Sequence, residues 1–308
     1  MKKLIIDTDP GVDDAIAIAL ACKSDFDILG LTTVYGNATI EDTTRNAATI
    51  LKIMRKEAPI FRGAEKPLVG KNMLSTVHGD NGLGGFVLKN FEPKIEKKSA
   101  YEFILKTLDE NKKNSIDLCI LGPSTNIAEI AQKSPDVLSN IKRLIILGGA
   151  VFAGGNVTPY AEFNVYNDPQ ALEIVLNLSC QKILIPVEVC RKVIFNLNDF
   201  NKIKDEATRI AFRKISDIYI KNYMSNTKYT NFSGGVMYDL LTIAYLLDPS
   251  LFTVKKANIE VVTKKGKYYG MTKYIEGKKP NCILVTNVNA GKLKKIFFKN
   301  MNQSKPSA

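Results

Sequence analysis

Residues 4 to 21 constrain this chain more than any other stretch. Leu4-Ile5-Ile6 runs into Asp7-Thr8-Asp9-Pro10-Gly11-Val12-Asp13-Asp14, and that into Ala15-Ile16-Ala17-Ile18-Ala19-Leu20-Ala21. A helix apolar on every face has no solvent side and must be buried. Asp9 is expected as its N-cap, Pro10 as its first residue, and Asp13 and Asp14 in its first turn. An apolar strand, a polar turn and a buried helix in that order open an α/β layer structure.

The rest of the chain repeats the pattern. Strand-like apolar runs fall at residues 4–8, 28–35, 116–121, 143–147, 182–187, 258–263 and 282–286. Helical periodicity lies between them at 12–22, 40–56, 100–111, 125–132 and 169–177, then at 207–224 and 236–247. Alternation of this kind predicts an open, mostly parallel Rossmann-like sheet flanked by helices, because parallel strands need crossovers. A single domain over residues 1–308 is expected, with a polar tail from about 300 to 308. Ligands in such folds gather beyond the carboxyl ends of the strands, where several polar clusters of this chain fall.

Four carboxylates within residues 7–14 repel one another. A helix N-terminus offsets at most about 1 kcal/mol per exposed charge, which is too little at low dielectric. A bound cation resolves the crowding, and an all-oxygen ligand set selects Ca²⁺ or Mg²⁺. The chain has one histidine, His78, so a multi-histidine metal site is excluded. Five scattered cysteines offer neither a close metal pair nor a disulfide framework and predict a reducing, cytoplasmic setting. The apolar run after Met1 stops at Asp7, short of the ~7–15 residues of a signal core, and no run approaches the ~20 residues of a membrane span. The net charge is +12, but residues 255–308 hold thirteen Lys, no Arg and only Glu260 and Glu276 as acids. Lysines spread this way without arginine read as a solvated face, so no nucleic-acid partner is expected.

Further motifs follow in order. They are Thr33-Val34-Tyr35-Gly36-Asn37, then Val77-His78-Gly79 with Gly82-Leu83-Gly84, then Leu121-Gly122-Pro123-Ser124-Thr125-Asn126-Ile127-Ala128. After them come Leu147-Gly148-Gly149, Asn156, Ala161-Glu162-Phe163-Asn164, Asp168-Pro169 and Tyr238-Asp239. Together with the acidic cluster these resemble, in register over nearly the whole chain, the nucleoside hydrolases, the inosine-uridine-preferring N-ribohydrolases. The resemblance implies the fold of that family, hydrolysis of ribonucleosides to free base and ribose, and a homodimer or homotetramer.

It also implies roles. Ca²⁺ would be held by Asp9, Asp14, the carbonyl of Leu121 and Asp239, and would lower the pKa of a water whose proton Asp9 takes. Asp13 and Asn37 would bind the 2′-hydroxyl, Asn164 the 2′- and 3′-hydroxyls, and Asn156 and Glu162 the 5′-hydroxyl. His78, Phe163, Tyr219 and Tyr223 would line the base pocket, while Asp168 is expected only to cap a helix. Tyr238 stands where many family members carry the histidine that protonates a departing purine. A phenol, with an ordinary pKa near 10, is a poorer acid at neutral pH, so a slight preference for uridine or cytidine over inosine is expected.

Two other classes share single features. A haloacid-dehalogenase-like phosphatase would explain Asp7-Thr8-Asp9 with Mg²⁺, but not Asp13-Asp14, Ala161-Glu162-Phe163-Asn164 or Asp239. A nucleoside-binding protein without catalysis would explain Tyr238, but not the intact acidic cluster.

Overall fold

The structure, a computed structural model, describes residues 1–225 and 232–303. The chain opens with β1 (Lys2–Thr8), α1 (Val12–Lys23), β2 (Phe26–Thr33), α2 (Ile40–Ile53) and β3 (Ile60–Arg62). It continues with α3 (Ala100–Glu110), β4 (Ile116–Ile120), α4 (Thr125–Lys133), α5 (Pro135–Leu138) and β5 (Ile141–Leu147). Next come α6 (Phe163–Asn167), α7 (Pro169–Leu176), β6 (Gln181–Ile185), α8 (Val187–Cys190), β7 (Ile194–Phe195) and α9 (Glu206–Ser225). The remainder is β8 (Gly235–Val236), α10 (Leu240–Leu247), β9 (Phe252–Ala257), β10 (Ile259–Val261), β11 (Thr272–Tyr274), β12 (Cys282–Val288) and α11 (Ala290–Met301).

Eight strands form one sheet in the order β3-β2-β1-β4-β5-β6-β12-β9. Every adjacent pair is parallel except β12 with β9. The sheet grows one way from β1 to β3 and the other way from β4 to β6. The connections therefore part between β1 and β4 and open a crevice beyond their carboxyl ends. Strand alternation divides the core: Leu4 and Ile6 join the apolar layer that contains α1, α2, α9, α10 and α11, whereas Ile5 joins the layer of α3, α4 and α7. Helix α1 is buried from Val12 to Cys22, as its composition requires. Among the described residues no helix is long and apolar enough to cross a membrane.

The structure corrects three local expectations. Helix α1 begins at Val12 with Gly11 as N-cap, so Asp9 and Pro10 precede it. The Asp9 carboxylate is engaged instead by the Asn37 backbone N–H, and Asp14 reaches back to the Gly11 N–H. Helix α10 starts at Leu240 rather than 236, because Gly235–Val236 pairs antiparallel with β7. The run at 258–263 is outside the main sheet: β10 pairs with β11, and the sheet edge is β9, whose apolar pattern is broken by Thr253, Lys255 and Lys256. Helix α11 runs to Met301, with Leu293, Phe297, Phe298 and Met301 buried; of the polar tail expected from about 300, residues 304–308 lie outside the described ones.

Candidate active site

A cavity of about 350 Å³ opens beyond the ends of β1, β4 and β5. Its wall includes Asp13, Asn37, His78, Leu121, Asn156, Glu162, Phe163, Asn164, Tyr219, Tyr223, Tyr238 and Asp239. Of the residues assigned site roles from the sequence, only Asp9 and Asp14 do not line it; both are buried with the acidic cluster.

Asp13, Asp14 and Asp239 each offer an oxygen, and these oxygens lie within 4.8 Å of one another. Asp13 and Asp14 come from the first turn of α1 and Asp239 from the N-cap of α10. Asp14 is well supplied with donors: Thr8 Oγ1 at 2.5 Å, the Gly11 N–H at 2.9 Å and Asn37 Nδ2 at 3.0 Å. Asp13 Oδ1 and Asp239 Oδ1 are buried and have no hydrogen-bond partner among the described residues. Burial first, then the Asp14 charge, pushes Asp13 up to about 8. Burial, followed by the charges of Asp13, Asp14 and Asp9, raises Asp239 far above the carboxylate range. Buried anionic oxygens without donors fit a hard divalent cation.

Asp9 stands beside this trio. Its Oδ2 accepts the Asn37 backbone N–H at 2.8 Å. A Cβ on Gly36 would come 2.1 Å from Asp9 Oδ2, and one on Gly122 would come 2.6 Å from Asp9 Oδ1. The carboxylate therefore occupies a slot between two glycine backbones, one after β2 and one after β4. Burial, then the charges of Asp14 and Asp13, raises its pKa well above the ordinary value, partly offset by the Asn37 N–H. The Leu121 carbonyl accepts Asn164 Nδ2 at 2.6 Å, which leaves it one lone pair.

Around the rest of the cavity the polar groups are held in place. Glu162 caps α6: its Oε1 accepts the Asn164 N–H at 2.8 Å, and its Oε2 accepts those of Gly149 and Val165, each at 3.1 Å. Burial nevertheless pushes it up to about 7. Asn156 Oδ1 accepts the Phe163 N–H at 2.9 Å. His78 Nδ1 accepts the Val12 N–H at 3.1 Å, so the ring proton belongs on Nε2. Burial lowers His78 to about 3, and the neutral ring stacks on Tyr219 with centroids 4.8 Å apart. Tyr219 donates its hydroxyl to the Val236 carbonyl at 2.6 Å. Tyr223, one turn later, donates to the Tyr238 hydroxyl at 3.0 Å.

Some of the site carried no usable signal. Met73, Leu74, Ser75 and Thr76 line the cavity but form no motif and have no periodicity. Two residues from the Asn164 segment anchor that loop. Asn167 Oδ1 accepts the Met73 N–H at 2.7 Å. Asp168 caps α7 through the Ala171 N–H at 3.0 Å, as expected, and also accepts the Leu68 N–H at 2.9 Å and the Thr125 hydroxyl at 2.8 Å.

The chain is similar to known proteins over nearly its whole length. The family model described as inosine-uridine preferring nucleoside hydrolase matches residues 4–295. The pyrimidine-specific ribonucleoside hydrolase RihA of Escherichia coli O1:K1 is 36% identical over 297 residues, covering 93% of this chain and 94% of that protein. Among solved structures, a purine-preferring ribonucleoside hydrolase from Gardnerella vaginalis superposes with a TM-score of 0.90 at 27% identity, over 97% of this chain and 98% of that one. A plant nucleoside hydrolase superposes with a TM-score of 0.89 at 27% identity, over 98% and 99% of the two chains.

Proposed function

The chain belongs to the inosine-uridine preferring nucleoside hydrolase family and is a ribonucleoside hydrolase, and from that premise we propose a calcium-dependent enzyme with a modest preference for pyrimidine nucleosides. The observation that carries the metal is the pair of donor-less buried oxygens on Asp13 and Asp239 beside Asp14. Asp9, Asp14, Asp239 and the Leu121 carbonyl would hold the ion, with Asp13 at its edge. When bound, a cation there would offset the carboxylate charge and lower the pKa of a bound water.

This chain's own groups carry the remaining work. Cleavage of the N-glycosidic bond develops positive charge on the sugar, which a cluster of buried carboxylates favours. Asp9, held by the Asn37 N–H and confined by Gly36 and Gly122, takes the proton of the attacking water. Asp13, Asn37 and Asn164 grip the 2′ and 3′ side of the sugar, and Asn156 and Glu162 the 5′ end. The departing base meets Tyr238, whose hydroxyl is paired with Tyr223. His78 is neutral and its Nδ1 is occupied, so it serves as a wall and an Nε2 donor rather than a cationic acid.

Support for the pyrimidine preference comes from Tyr238 and from RihA, whose name states that specificity. A reducing-sugar assay with uridine, cytidine, inosine and guanosine, in Ca²⁺ and after chelation, tests the proposal. Pyrimidine nucleosides should turn over fastest and chelated protein should be inactive. 2′-Deoxyuridine should be poorer than uridine by roughly 100-fold or more in kcat/KM, because the site's buried polar groups would lose their partner. Inosine far ahead of uridine would overturn the preference, and full activity in chelator would overturn the metal.

A further inference from the structure

The segment from Gly148 to Glu162 leaves the end of β5 and carries Asn156 to the cavity. It is rich in glycine: Gly148, Gly149, Gly154 and Gly155 lie in it, and Phe152, Ala153 and Gly154 are exposed. Two charged side chains from the next strand-to-helix turn grip it. Glu188, on α8, accepts the backbone N–H of Val151 at 3.2 Å and that of Phe152 at 2.9 Å on Oε1. Arg191, just after α8, donates to the carbonyl of Gly154 at 2.7 Å and to that of Gly155 at 3.0 Å. The signs match the backbone polarity: an acceptor-only carboxylate holds N–H groups and a donor-only guanidinium fork holds two carbonyls. The second grip ends at the residue before Asn156. Beyond it the turn closes on itself, with the Gly155 N–H on the Pro159 carbonyl and the Val157 N–H on that of Ala161. Gly155 allows this because a Cβ there would meet the Ala161 carbonyl oxygen at 1.9 Å.

We infer that Glu188 and Arg191 form a clip that positions Asn156 for the 5′-hydroxyl of the sugar. Neither residue lines the main cavity, so both act through the loop and are positioning residues. The inference rests on the proposed role of Asn156. Free to fluctuate, the loop would present Asn156 in the bound geometry only part of the time, and the hydrogen bond would weaken by that fraction.

The test uses two substrates: the ribonucleoside turned over fastest and its 5′-deoxy analogue. Arg191→Ala should lose roughly tenfold in kcat/KM on the parent nucleoside, about the worth of one hydrogen bond. It should lose little on the 5′-deoxy analogue, which has no hydroxyl to position. Asn156→Ala should show the same selectivity. Arg191→Lys keeps the charge but not the two-pronged fork, so its selective loss should fall between wild type and Arg191→Ala. If Arg191→Ala does not fold, Arg191→Lys and Glu188→Gln make the same comparison. Equal losses on both substrates, or none, in the clip variants while Asn156→Ala stays selective would overturn the clip alone. A non-selective Asn156→Ala would overturn the reading of Asn156 and the clip with it.

Discussion

Asp9 has little room to be anything other than what it is. Gly36 and Gly122 confine its oxygens, and the Asn37 N–H fixes one of them. Asparagine keeps the shape but neither the charge nor the proton affinity. Asp9→Asn should therefore lose turnover by about 100-fold or more while circular dichroism and Tm stay near wild type. A loss of only a few-fold would remove Asp9 from the role of base. Tyr238 poses the opposite question, since its hydroxyl is paired with that of Tyr223. Tyr238→Phe should lower kcat by about tenfold on one base class and less on the other if the phenol assists departure. A small uniform effect marks it as a wall. At this scale the sequence was informative wherever chemistry forces a residue type, as at Asp9, Asp14, Asn37 and Asp239. It was silent on Met73 to Thr76, whose place in the wall is fixed by Asn167 and Asp168 through backbone contacts that demand no residue type of the loop.

The elements divide along the same line. Buried parallel strands and α1 were legible because burial on both faces forces unbroken apolar runs. β3, with three residues, and the β7–β8 pair, with two each, are too short for any period to show. The C-terminal helix α11 was missed because lysines mask its apolar stripe. An ion-pair anchor also ties α11 to the chain before α9: Asp199 accepts Lys294 Nζ at 2.7 Å and Lys202 Nζ at 2.8 Å. Burial opposes ionisation of Asp199, but Lys202, Lys294 and the Asn196 N–H outweigh it and hold the carboxyl below its ordinary value of 3.8. A depressed folded-state pKa contributes stability above the unfolded value that is lost as pH falls through the folded one. Asp199→Asn should thus lower Tm at pH 7 by roughly 2–4 °C, and the gap from wild type should close as pH drops below about 4. A gap that is constant from pH 7 to pH 3 would show that charge plays no part in the anchor.

Across the whole molecule, the acidic cluster ties distant parts of the chain together. Asp13 and Asp14 lie near its start and Asp239 heads α10, and α1 and α10 belong to one apolar layer. Without a cation, folding must bring these carboxylates together against burial and mutual repulsion; with one, their attraction to the ion joins the two helix starts. Stability should therefore track the metal. A ligand at about 100 times its Kd adds about 2.7 kcal/mol, so saturating Ca²⁺ should raise Tm by several degrees over chelated protein. Mg²⁺, smaller and strict in its octahedral geometry, should raise it less at equal concentration. Asp239→Asn separates the two contributions. It removes one repelling charge and one ligand, so in chelator the variant should melt at or above wild type, while the Ca²⁺-dependent rise should largely vanish along with activity. A variant that melts well below wild type in chelator yet keeps the full Ca²⁺ response would mean that Asp239 holds α10 in place and leaves the cation to its neighbours.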